Sequence, residues 1–168
     1  KINIRNKIPL KTNREDKNNY TANVSFERKN IIRVLKGPQF DYFSESSKKE
    51  FFSKEYKITN LTDRMGMRLE GKILKNIVST NIRSEGITKG AIQVPADGQP
   101  IVLLTDHPTI GGYPKIANVI SADYDLLVQK IPGTNISFKC IELQEAERLY
   151  KEWCSNISKI VKNIKKIK

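Results

Sequence analysis

The sequence contains few cysteines and histidines, and this scarcity limits the chemistry open to it. Cys140 and Cys154 are the only cysteines among 168 residues, and His107 is the only histidine. Two isolated thiols can neither staple a small secreted domain nor supply the ligands of a structural zinc site. We therefore expect a protein of a reducing compartment, without disulfides and without a bound metal.

Long apolar runs and standard nucleotide motifs are also absent. No apolar stretch approaches the roughly 20 residues that span a bilayer, and the Lys-rich start has no apolar signal core. The common sequence motifs of phosphate loops, dinucleotide folds, zinc sites and nucleophile elbows are missing as well. These absences predict a cytoplasmic protein with no membrane partner, in which any nucleotide needs an unconventional site.

Acidic residues are outnumbered by basic ones. Lysine and arginine total 30 against 18 aspartates and glutamates, which gives a formal net charge of +12. Such a charge attracts anionic partners, including nucleic acid. The lysines are spread along the whole sequence, however, and no basic patch is interleaved with aromatic residues as in nucleic-acid-binding modules. We therefore do not expect nucleic acid among the partners.

The hydrophobic pattern divides the chain into three parts. Residues 1–30 are polar and predict a lead-in that is either an edge strand or mobile. Residues 31–143 carry many short β-prone runs between glycine and proline turns, with few short helices, which is typical of a barrel or a sandwich. Residues 144–168 place apolar side chains at helical spacing opposite lysines. That pattern predicts a long amphipathic helix packed on the barrel or on a partner, and a membrane surface is the less favoured alternative.

Some runs can be assigned individually. Ser44 is a good N-cap for a short helix that buries two aromatic side chains. Residues 77–82 form a β-prone stretch and predict a strand. The sequence from Asp63 to Gly66 predicts a turn in which Gly66 takes the strained position.

The stretch 90–114 holds most residues that could carry chemistry. Residues 91–94 and 99–104 predict two strands, and Pro95-Ala96-Asp97-Gly98 between them predicts a tight reversing turn. A polar loop with adjacent acidic and imidazole side chains and a glycine pair follows the second strand. The sequence therefore predicts a hairpin that presents a polar loop at the edge of a core.

The order of motifs in this region resembles the second half of the biotin-dependent carboxyltransferase-like proteins. Gly-x-Ile-Gln-Val-Pro, Asp-Gly-Gln-Pro and Gly-Gly-Tyr-Pro follow one another within 90–114, and Ile-Ala-x-Val-Ile-Ser-Ala-Asp occupies 116–123. Upstream, Gly-Pro-Gln at 37–39, Asp-Arg-Met-Gly-x-Arg-Leu-Glu-Gly at 63–71 and Ser-Glu-Gly at 84–86 fit the same pattern. The family includes the C subunit of bacterial ATP-dependent 5-oxoprolinases, the KipA-type antagonists, proteins called allophanate hydrolase subunit 2, and the carboxyltransferase region of urea carboxylase.

The resemblance, which covers residues 31–143, implies a fold and an assembly. The implied fold is mainly β, a cyclophilin-like β-barrel with short peripheral helices, followed here by the long carboxy-terminal amphipathic helix. Family members carry an additional amino-terminal half, so we expect this chain to act with that half and with a KipI- or 5-oxoprolinase B-type subunit. ATP is implied for the intact complex without necessarily binding this chain, and biotin is implied only in the carboxyltransferase setting.

Three residues are candidates for acid–base chemistry. Asp106 is the preferred base or cation ligand, and Glu85 in its glycine-terminated loop is a second carboxylate. His107 is the side chain whose ordinary pKa lies near neutrality, which suits a general base. Because His107 directly follows Asp106, their side chains diverge in an extended backbone and need not form a dyad.

The remaining candidates are substrate-binding groups. Guanidinium groups suit a bidentate grip on an anion, side-chain amides can orient a planar amide, and consecutive glycine N–H groups can hold an anion or an oxyanion. The plainer alternatives are surface ion pairs for the arginines, a simple tight turn for the glycines and packing for the tyrosine. The candidates are Arg64, Arg68, Gln93, Gln99, Gly111, Gly112, Tyr113 and Lys115.

Three functions stay open at this point. The resemblance favours a subunit of an ATP-dependent 5-oxoprolinase-type amide hydrolase, which opens 5-oxoproline to glutamate only together with its partners. The first alternative is a biotin-dependent carboxyltransferase domain that acts on urea or a related small amide. The second alternative is a non-enzymatic, KipA-like protein that binds a kinase inhibitor and relieves its inhibition.

Overall fold

The chain divides into two compact units in the computed structural model. The model describes residues 7–10, 20–23 and 29–166. One unit is Lys29–Glu147, and the other combines Lys1–Arg28 with Arg148–Lys168. Each unit is described by itself below.

The described residues form short strands and three α-helices. The helices are α1 (Glu45–Ser53), α2 (Ser121–Val128) and α3 (Leu143–Lys162), and a short 3-10 helix covers Phe40–Tyr42. The strands are β1 (Lys7–Leu10), β2 (Tyr20–Asn23), β3 (Ile31–Lys36), β4 (Tyr56–Ile58), β5 (Gly66–Glu70), β6 (Glu85–Gly86), β7 (Ala91–Gln93), β8 (Ile101–Leu103), β9 (Ile110–Gly111), β10 (Lys115–Val119), β11 (Asn135–Cys140) and β12 (Lys165–Lys166).

Seven strands of the larger unit close into a barrel in the order β10-β3-β11-β4-β5-β8-β7. Neighbouring strands are antiparallel except β11 and β3, which run parallel. Closure leaves none of these strands with an unpaired edge, which removes the usual route to edge-to-edge aggregation. The prediction of a mainly β, cyclophilin-like barrel with short peripheral helices and a long carboxy-terminal helix is confirmed.

An aromatic cluster joins α1 to the barrel core. The rings of Phe51 and Phe138 stack with their centroids 4.7 Å apart, and Tyr56 lies 6.0 Å from each of them. All three side chains are buried. The Ser44 hydroxyl accepts a hydrogen bond from the Ser47 N–H at 3.3 Å, so the predicted N-cap of this helix is confirmed.

The predicted hairpin of β7 and β8 is present, with the tight turn between its strands. The Gly98 N–H donates to the Pro95 carbonyl oxygen at 3.0 Å. Gly98 has φ +72°, a conformation that a side chain disfavours. The two strands pair Ile92 with Val102 and Gln93 with Ile101.

The predicted strand at 77–82 is wrong. The nearest pairing is an isolated bridge between Asn76 and Phe43, and residues 77–82 follow an irregular path. Ile77 is 67% exposed. A β-branched run forms a strand only where a partner strand accepts its hydrogen bonds, and the barrel has already closed without this segment.

The expected conformation of Gly66 is also wrong, although the turn before it exists. Among the described residues, positive φ angles occur at Gly90, Gly98 and Gly133. Gly66 instead begins β5 against β8, where an added Cβ would lie 3.0 Å from the Ile101 side chain. The turn is made by the Asp63 carboxylate, which accepts hydrogen bonds from the main-chain N–H groups of Met65 and Gly66.

The smaller unit holds a three-stranded sheet in the order β1-β2-β12. A strand in the lead-in was one of the two predicted outcomes, and Lys7–Leu10 forms it by pairing with β2. The predicted mobility of the lead-in concerns residues 1–6, 11–19 and 24–28, which lie outside the described residues.

The carboxy-terminal helix ends before the predicted position. Helix α3 stops at Lys162, and Lys165–Lys166 pair with Tyr20 and Thr21 of β2 as a short strand. The prediction of helix is therefore wrong at residues 165–166, because local periodicity carries no information on pairing with a distant strand. Within the described part of the chain, no helix is both long enough and apolar enough to cross a membrane.

We expect Phe138→Ala to destabilise the larger unit by about 3–5 kcal/mol, because it removes the ring that stacks on Phe51 and leaves a cavity. Ile77→Ser is the matched control and should change the free energy of unfolding by about 0.5 kcal/mol or less, since this side chain is exposed. Urea unfolding followed by far-UV circular dichroism measures both. A large loss in the control would show that residues 77–82 are packed after all.

Candidate functional site

Strand β7 places two successive side chains on opposite sides of the barrel wall. Ile92 belongs to the main core, whereas Ala91 packs outside it with Ile87 and Leu103. Because side chains alternate along a strand, Gln93 shares the outer face with Ala91. Strands β6 and β9 pair with each other over this face, so Gln93 is covered and only 6% exposed.

Lys115 lies beside Gln93 and forms an ion pair with Glu85. Strands β10 and β7 place Lys115 opposite Gln93 in register. The Lys115 ammonium donates to the Glu85 carboxylate, and the lysine side chain is 6% exposed against 44% for the glutamate. These residues, with Gln39 and Gly111, are called the outer-face cluster below.

Gln39 holds this pair in place through three hydrogen bonds. Its main-chain N–H donates to the Lys115 carbonyl oxygen at 3.3 Å, and its side-chain oxygen accepts from the Lys115 N–H at 3.1 Å. Its side-chain nitrogen donates to Glu85 Oε1 at 2.7 Å. A Cβ at Gly37 would lie 2.2 Å from the Lys115 carbonyl oxygen, so this close approach of the turn requires glycine.

Gln39 was not among the predicted site residues. The available signal was the Gly-Pro-Gln motif, because a glycine before a polar residue often marks a close backbone approach. The sequence does not reveal that this turn docks on β10 or that the amide reaches Glu85.

The hydrogen bonds that Glu85 accepts change its acidity. The bond from Lys115, followed by the bond from Gln39, holds the pKa of the Glu85 carboxyl below its ordinary value of 4.5. The carboxylate therefore remains ionised at neutral pH and compensates the buried ammonium. The pair is close to neutral as a whole, which lowers the cost of burying the lysine.

Gln93 carries an unsatisfied donor beside this pair. Its Nε2 is buried and has no hydrogen-bond partner among the described residues. A Cβ at Gly111 would lie 2.7 Å from that nitrogen, so the glycine leaves the amide room. An orphaned buried donor costs about 1–3 kcal/mol and is a group that a ligand can satisfy.

The predicted base Asp106 pairs with Arg64 at another level of the barrel. Arg64 Nε lies 2.7 Å from Asp106 Oδ2, and the arginine side chain is 85% exposed. Asp106 lies in the turn that follows the end of β8 at Leu103, whereas Gln93 and Lys115 lie level with Ile101 at the start of that strand. The structure therefore brings Arg64 and Asp106 together, but not to the outer-face cluster.

Arg68 is an exposed residue on β5 that pairs in register with Ile101, so it lies level with Gln93 on the outer face of the barrel, two strands away. The pKa of the Asp63 carboxyl is lowered first by hydrogen bonds from the main chain of Gly66 and Met65, and its nearness to Arg68 adds to the effect. The Arg68 charge is thus near a turn-forming carboxylate. Its predicted role in substrate binding stays a prediction.

His107 and Gln99 make local contacts. The His107 Nδ1–H donates to the Pro108 carbonyl oxygen at 2.6 Å. The Gln99 amide accepts from the Gly71 N–H at 2.9 Å and donates to the Gly71 carbonyl oxygen at 3.2 Å. Gln99 therefore connects two loops, and neither residue joins the outer-face cluster through a hydrogen bond in the described part of the chain.

Gly112 and Tyr113 lie beside the cluster without completing it. The Gly112 carbonyl oxygen accepts from the Ile82 N–H at 2.9 Å, which fixes the glycine pair against the irregular segment. Tyr113 is partly exposed at the surface. An anion-binding role of the glycine pair and a donor role of the tyrosine stay predictions.

One further buried carboxylate, Asp123, has a structural partner. Its side chain accepts hydrogen bonds from the Arg33 main-chain N–H at 2.8 Å and from Arg33 Nε at 2.9 Å. This contact fixes the start of α2 to β3, so the buried acid is explained by packing. Within the residues that the structure covers, no group of three or more His, Cys, Asp or Glu side chains could hold a metal ion.

We expect Lys115→Met to raise the pKa of Glu85 toward 4.5, because the main cause of its low value is removed. Because the pKa of this carboxyl is lower in the folded than in the unfolded chain, its ionised form stabilises the fold at pH values above the unfolded-state pKa. This contribution to stability is lost as the pH falls through the folded-state pKa. The wild type should therefore lose this part of its stability in acid, and the variant should not. Carbon-detected NMR titration of the Glu85 carboxyl measures the shift.

Lys75→Met serves as the control, because Lys75 is exposed and forms no ion pair with Glu85 among the described residues. An unchanged Glu85 pKa in Lys115→Met would contradict the ion pair.

Comparison with known sequences links the chain to one family. The model of the carboxyltransferase domain, subdomains A and B, matches residues 1–140. The predicted resemblance at 31–143 is confirmed, and the match extends to the first residue.

Two curated relatives are 5-oxoprolinase C subunits. The protein from Haemophilus influenzae is 40% identical over 121 residues, which are 72% of this chain and 39% of the relative. The protein from Escherichia coli is 42% identical over 117 residues, which are 70% of this chain and 38% of the relative. The chain thus spans about two fifths of the length of these relatives.

More distant relatives are parts of larger proteins. A urea amidolyase from Lachancea kluyveri is 30% identical over 142 residues, 78% of this chain and 8% of the relative. The crystal structure of Kluyveromyces lactis urea carboxylase superposes with a TM-score of 0.74 at 26% identity, over 82% of this chain and 13% of that protein. With the family model matched over most of its length, the chain belongs to the carboxyltransferase domain family, subdomains A and B.

Proposed function

We propose that the chain is part of a 5-oxoprolinase-type amide hydrolase and that it works only with partner subunits. The identity of 40–42% to two 5-oxoprolinase C subunits, against 30% to a urea amidolyase, supports this choice. The observation that carries it is the outer-face cluster, in which a buried, unsatisfied amide donor lies beside a neutral ion pair.

The cluster suits a small neutral amide group. The orphaned Gln93 N–H can donate to the carbonyl oxygen of a lactam, and the neighbouring Lys115 ammonium can stabilise negative charge that develops on that oxygen. Both groups are held by the barrel wall and by Gln39 before a ligand arrives, which is the preorganisation that makes such stabilisation effective.

Glu85 has an electrostatic role in this scheme. A general base works best with a pKa near the operating pH, and the pKa of Glu85 is lowered instead. We therefore assign Glu85 the task of holding and compensating Lys115. Proton transfer would then come from Asp106, His107 or a partner subunit.

ATP does not fit the outer-face cluster. The ammonium of the cluster is already paired with Glu85, so a triphosphate would gain little from it. In the intact complex ATP would supply the free energy that activates the lactam. This chain would contribute the binding and orientation of the amide.

Partners are part of the proposal. The Haemophilus influenzae relative is a subunit by name, and in the Lachancea kluyveri urea amidolyase the matched region is a small part of a much longer chain. The proposed partners are the additional amino-terminal half found in the family and a B-type subunit.

A carboxyltransferase role is the second candidate. The structural match to urea carboxylase, which covers 82% of this chain, favours it. The ureido group of biotin is a neutral cyclic amide, and its carbonyl oxygen fits the Gln93 donor in the same way as a lactam. The biotin carrier would have to be supplied by another protein or segment.

We expect Gln93→Leu and Lys115→Met each to lower kcat/KM for 5-oxoproline-dependent ATP hydrolysis by about 100-fold in a complex reconstituted with its partners, because each removes a group aimed at the carbonyl oxygen. Asp106→Ala and Arg68→Ala test these two further predicted residues in the same assay, and Lys57→Met is an exposed control. Full activity of both cluster variants would contradict the assignment, and turnover of carboxybiotin with urea instead would establish the second candidate.

We expect Gln93→Leu to leave the fold as stable as the wild type or more stable by about 1–2 kcal/mol, because it removes an unsatisfied buried donor at similar volume. Gln39→Leu removes the two hydrogen bonds made by the glutamine side chain and should destabilise by about 1–3 kcal/mol. Urea unfolding of the 168-residue chain compares them. A loss of stability in Gln93→Leu would mean that its amide is used by the fold.

A further inference from the structure

A groove of about 570 Å³ lies between α1, the 3-10 helix and the end of β3, within the larger unit. It is open to solvent, and its lining is not part of the outer-face cluster. The lining residues that the argument uses are Lys36, Phe40, Glu45, Lys48, Lys49 and Phe52.

The wall of the groove is aromatic. The rings of Phe40 and Phe52 lie with their centroids 6.0 Å apart, and both pack against the main core while staying partly exposed. Phe52 also contacts Phe51 edge to face at 5.0 Å, which ties the wall to the stacked core aromatics. The groove therefore offers a rigid apolar surface to a flat ligand.

Three lysines surround this wall. The ammonium groups of Lys36 and Lys48 lie 5.2 and 5.1 Å from the centre of the Phe40 ring, and Lys49 lines the groove as well. With Glu45 as the one acidic lining residue, three positive charges face one negative charge. The lining thus has an excess of positive charge beside an aromatic surface.

These charges are available to a ligand. Lys48, whose side chain is 14% exposed, pairs with Glu45 at 2.8 Å and with Asp41 at 3.2 Å; because both carboxylates are strongly exposed, solvent weakens these pairs and a polyanion can compete with them. In the part of the chain that the structure covers, neither Lys36 nor Lys49 forms an ion pair within 4.0 Å. A polyanion can therefore bind two lysines directly and compete for the third.

We propose that this groove binds a purine nucleotide, with the base against Phe52 and the phosphates on Lys36, Lys48 and Lys49. A nucleotide combines a flat aromatic group with several negative charges, and the groove presents the complementary surfaces side by side. Aromatic stacking and lysine–phosphate contacts are the two contributions by which proteins hold nucleotides without a dedicated phosphate loop. The choice of ATP as the nucleotide rests on the proposed function, whereas the class of ligand rests on the groove alone.

The test measures binding rather than turnover. The probes are ATP, inorganic tripolyphosphate and adenosine, titrated without partner subunits into the 168-residue chain at low ionic strength and followed by calorimetry. We expect ATP to bind about tenfold more tightly than tripolyphosphate, because the base adds stacking. In NMR spectra, ATP should shift amide signals of residues 36–53.

Two sets of variants separate the contributions. The double variant Lys36→Ser, Lys49→Ser should weaken ATP binding by about tenfold. The control Lys57→Ser, Lys89→Ser makes the same change in net charge at exposed positions outside the lining, and it should leave the affinity for ATP within about twofold of the wild type. Phe52→Leu should weaken ATP and leave tripolyphosphate unchanged. Far-UV circular dichroism verifies that each variant is folded.

Two results would overturn the proposal. Equal binding of ATP and tripolyphosphate would reveal a plain polyanion surface, and equal weakening by the control pair would show that only net charge matters. The result of the binding experiment does not depend on whether the complex is catalytically active. If ATP binds to the groove in a complex that does not cleave 5-oxoproline, the proposed function is wrong and the nucleotide site stands. If the complex cleaves 5-oxoproline but ATP does not bind to this groove, the proposed function stands and the nucleotide site is wrong.

Discussion

The candidate site depends on the contact between the Gly37-Pro38-Gln39 turn and the first residue of β10. The turn approaches so closely that a Cβ at Gly37 would overlap the Lys115 carbonyl oxygen. This approach lets one glutamine side chain bind the Lys115 main chain and the Glu85 carboxylate at once. Without it, the Lys115–Glu85 pair would lose the side chain that links the Glu85 carboxylate to the main chain of β10.

A compensated pair next to an orphaned donor favours a particular kind of ligand. An anion is attracted only weakly by an ammonium whose charge is already balanced by a carboxylate. A carbonyl oxygen needs only a hydrogen-bond donor, and the nearby ammonium can stabilise negative charge that develops on that oxygen during a reaction. The proposed preference for a neutral amide therefore rests on the electrostatics of Lys115, Glu85 and Gln93 together. It is shared by lactams and ureido groups, which is why both proposed activities suit the same site.

Local chemistry and motif order predicted much of the larger unit. We could predict the Ser44 cap and the Pro95–Gly98 turn because caps and turns depend on only a few neighbouring residues. The barrel could be predicted because the order of the motifs is characteristic of the family. Residues 77–82 and 165–166 were mispredicted because strand formation depends on partners far away in sequence. The pairing of charged side chains was the hardest feature to predict. Nothing in the sequence indicates that Asp106 binds Arg64 whereas Glu85 binds Lys115.

Phe40 directly follows Gln39 in the chain, so the aromatic groove and the polar cluster share one short turn. Any ligand that moves this turn acts on two places, because displacement of the ring is transmitted to the glutamine amide through a single peptide bond. Thermodynamic linkage then requires reciprocity: whatever occupancy of the groove does to amide affinity, the amide does equally to occupancy of the groove. The turn would thereby couple the proposed nucleotide to the proposed amide ligand.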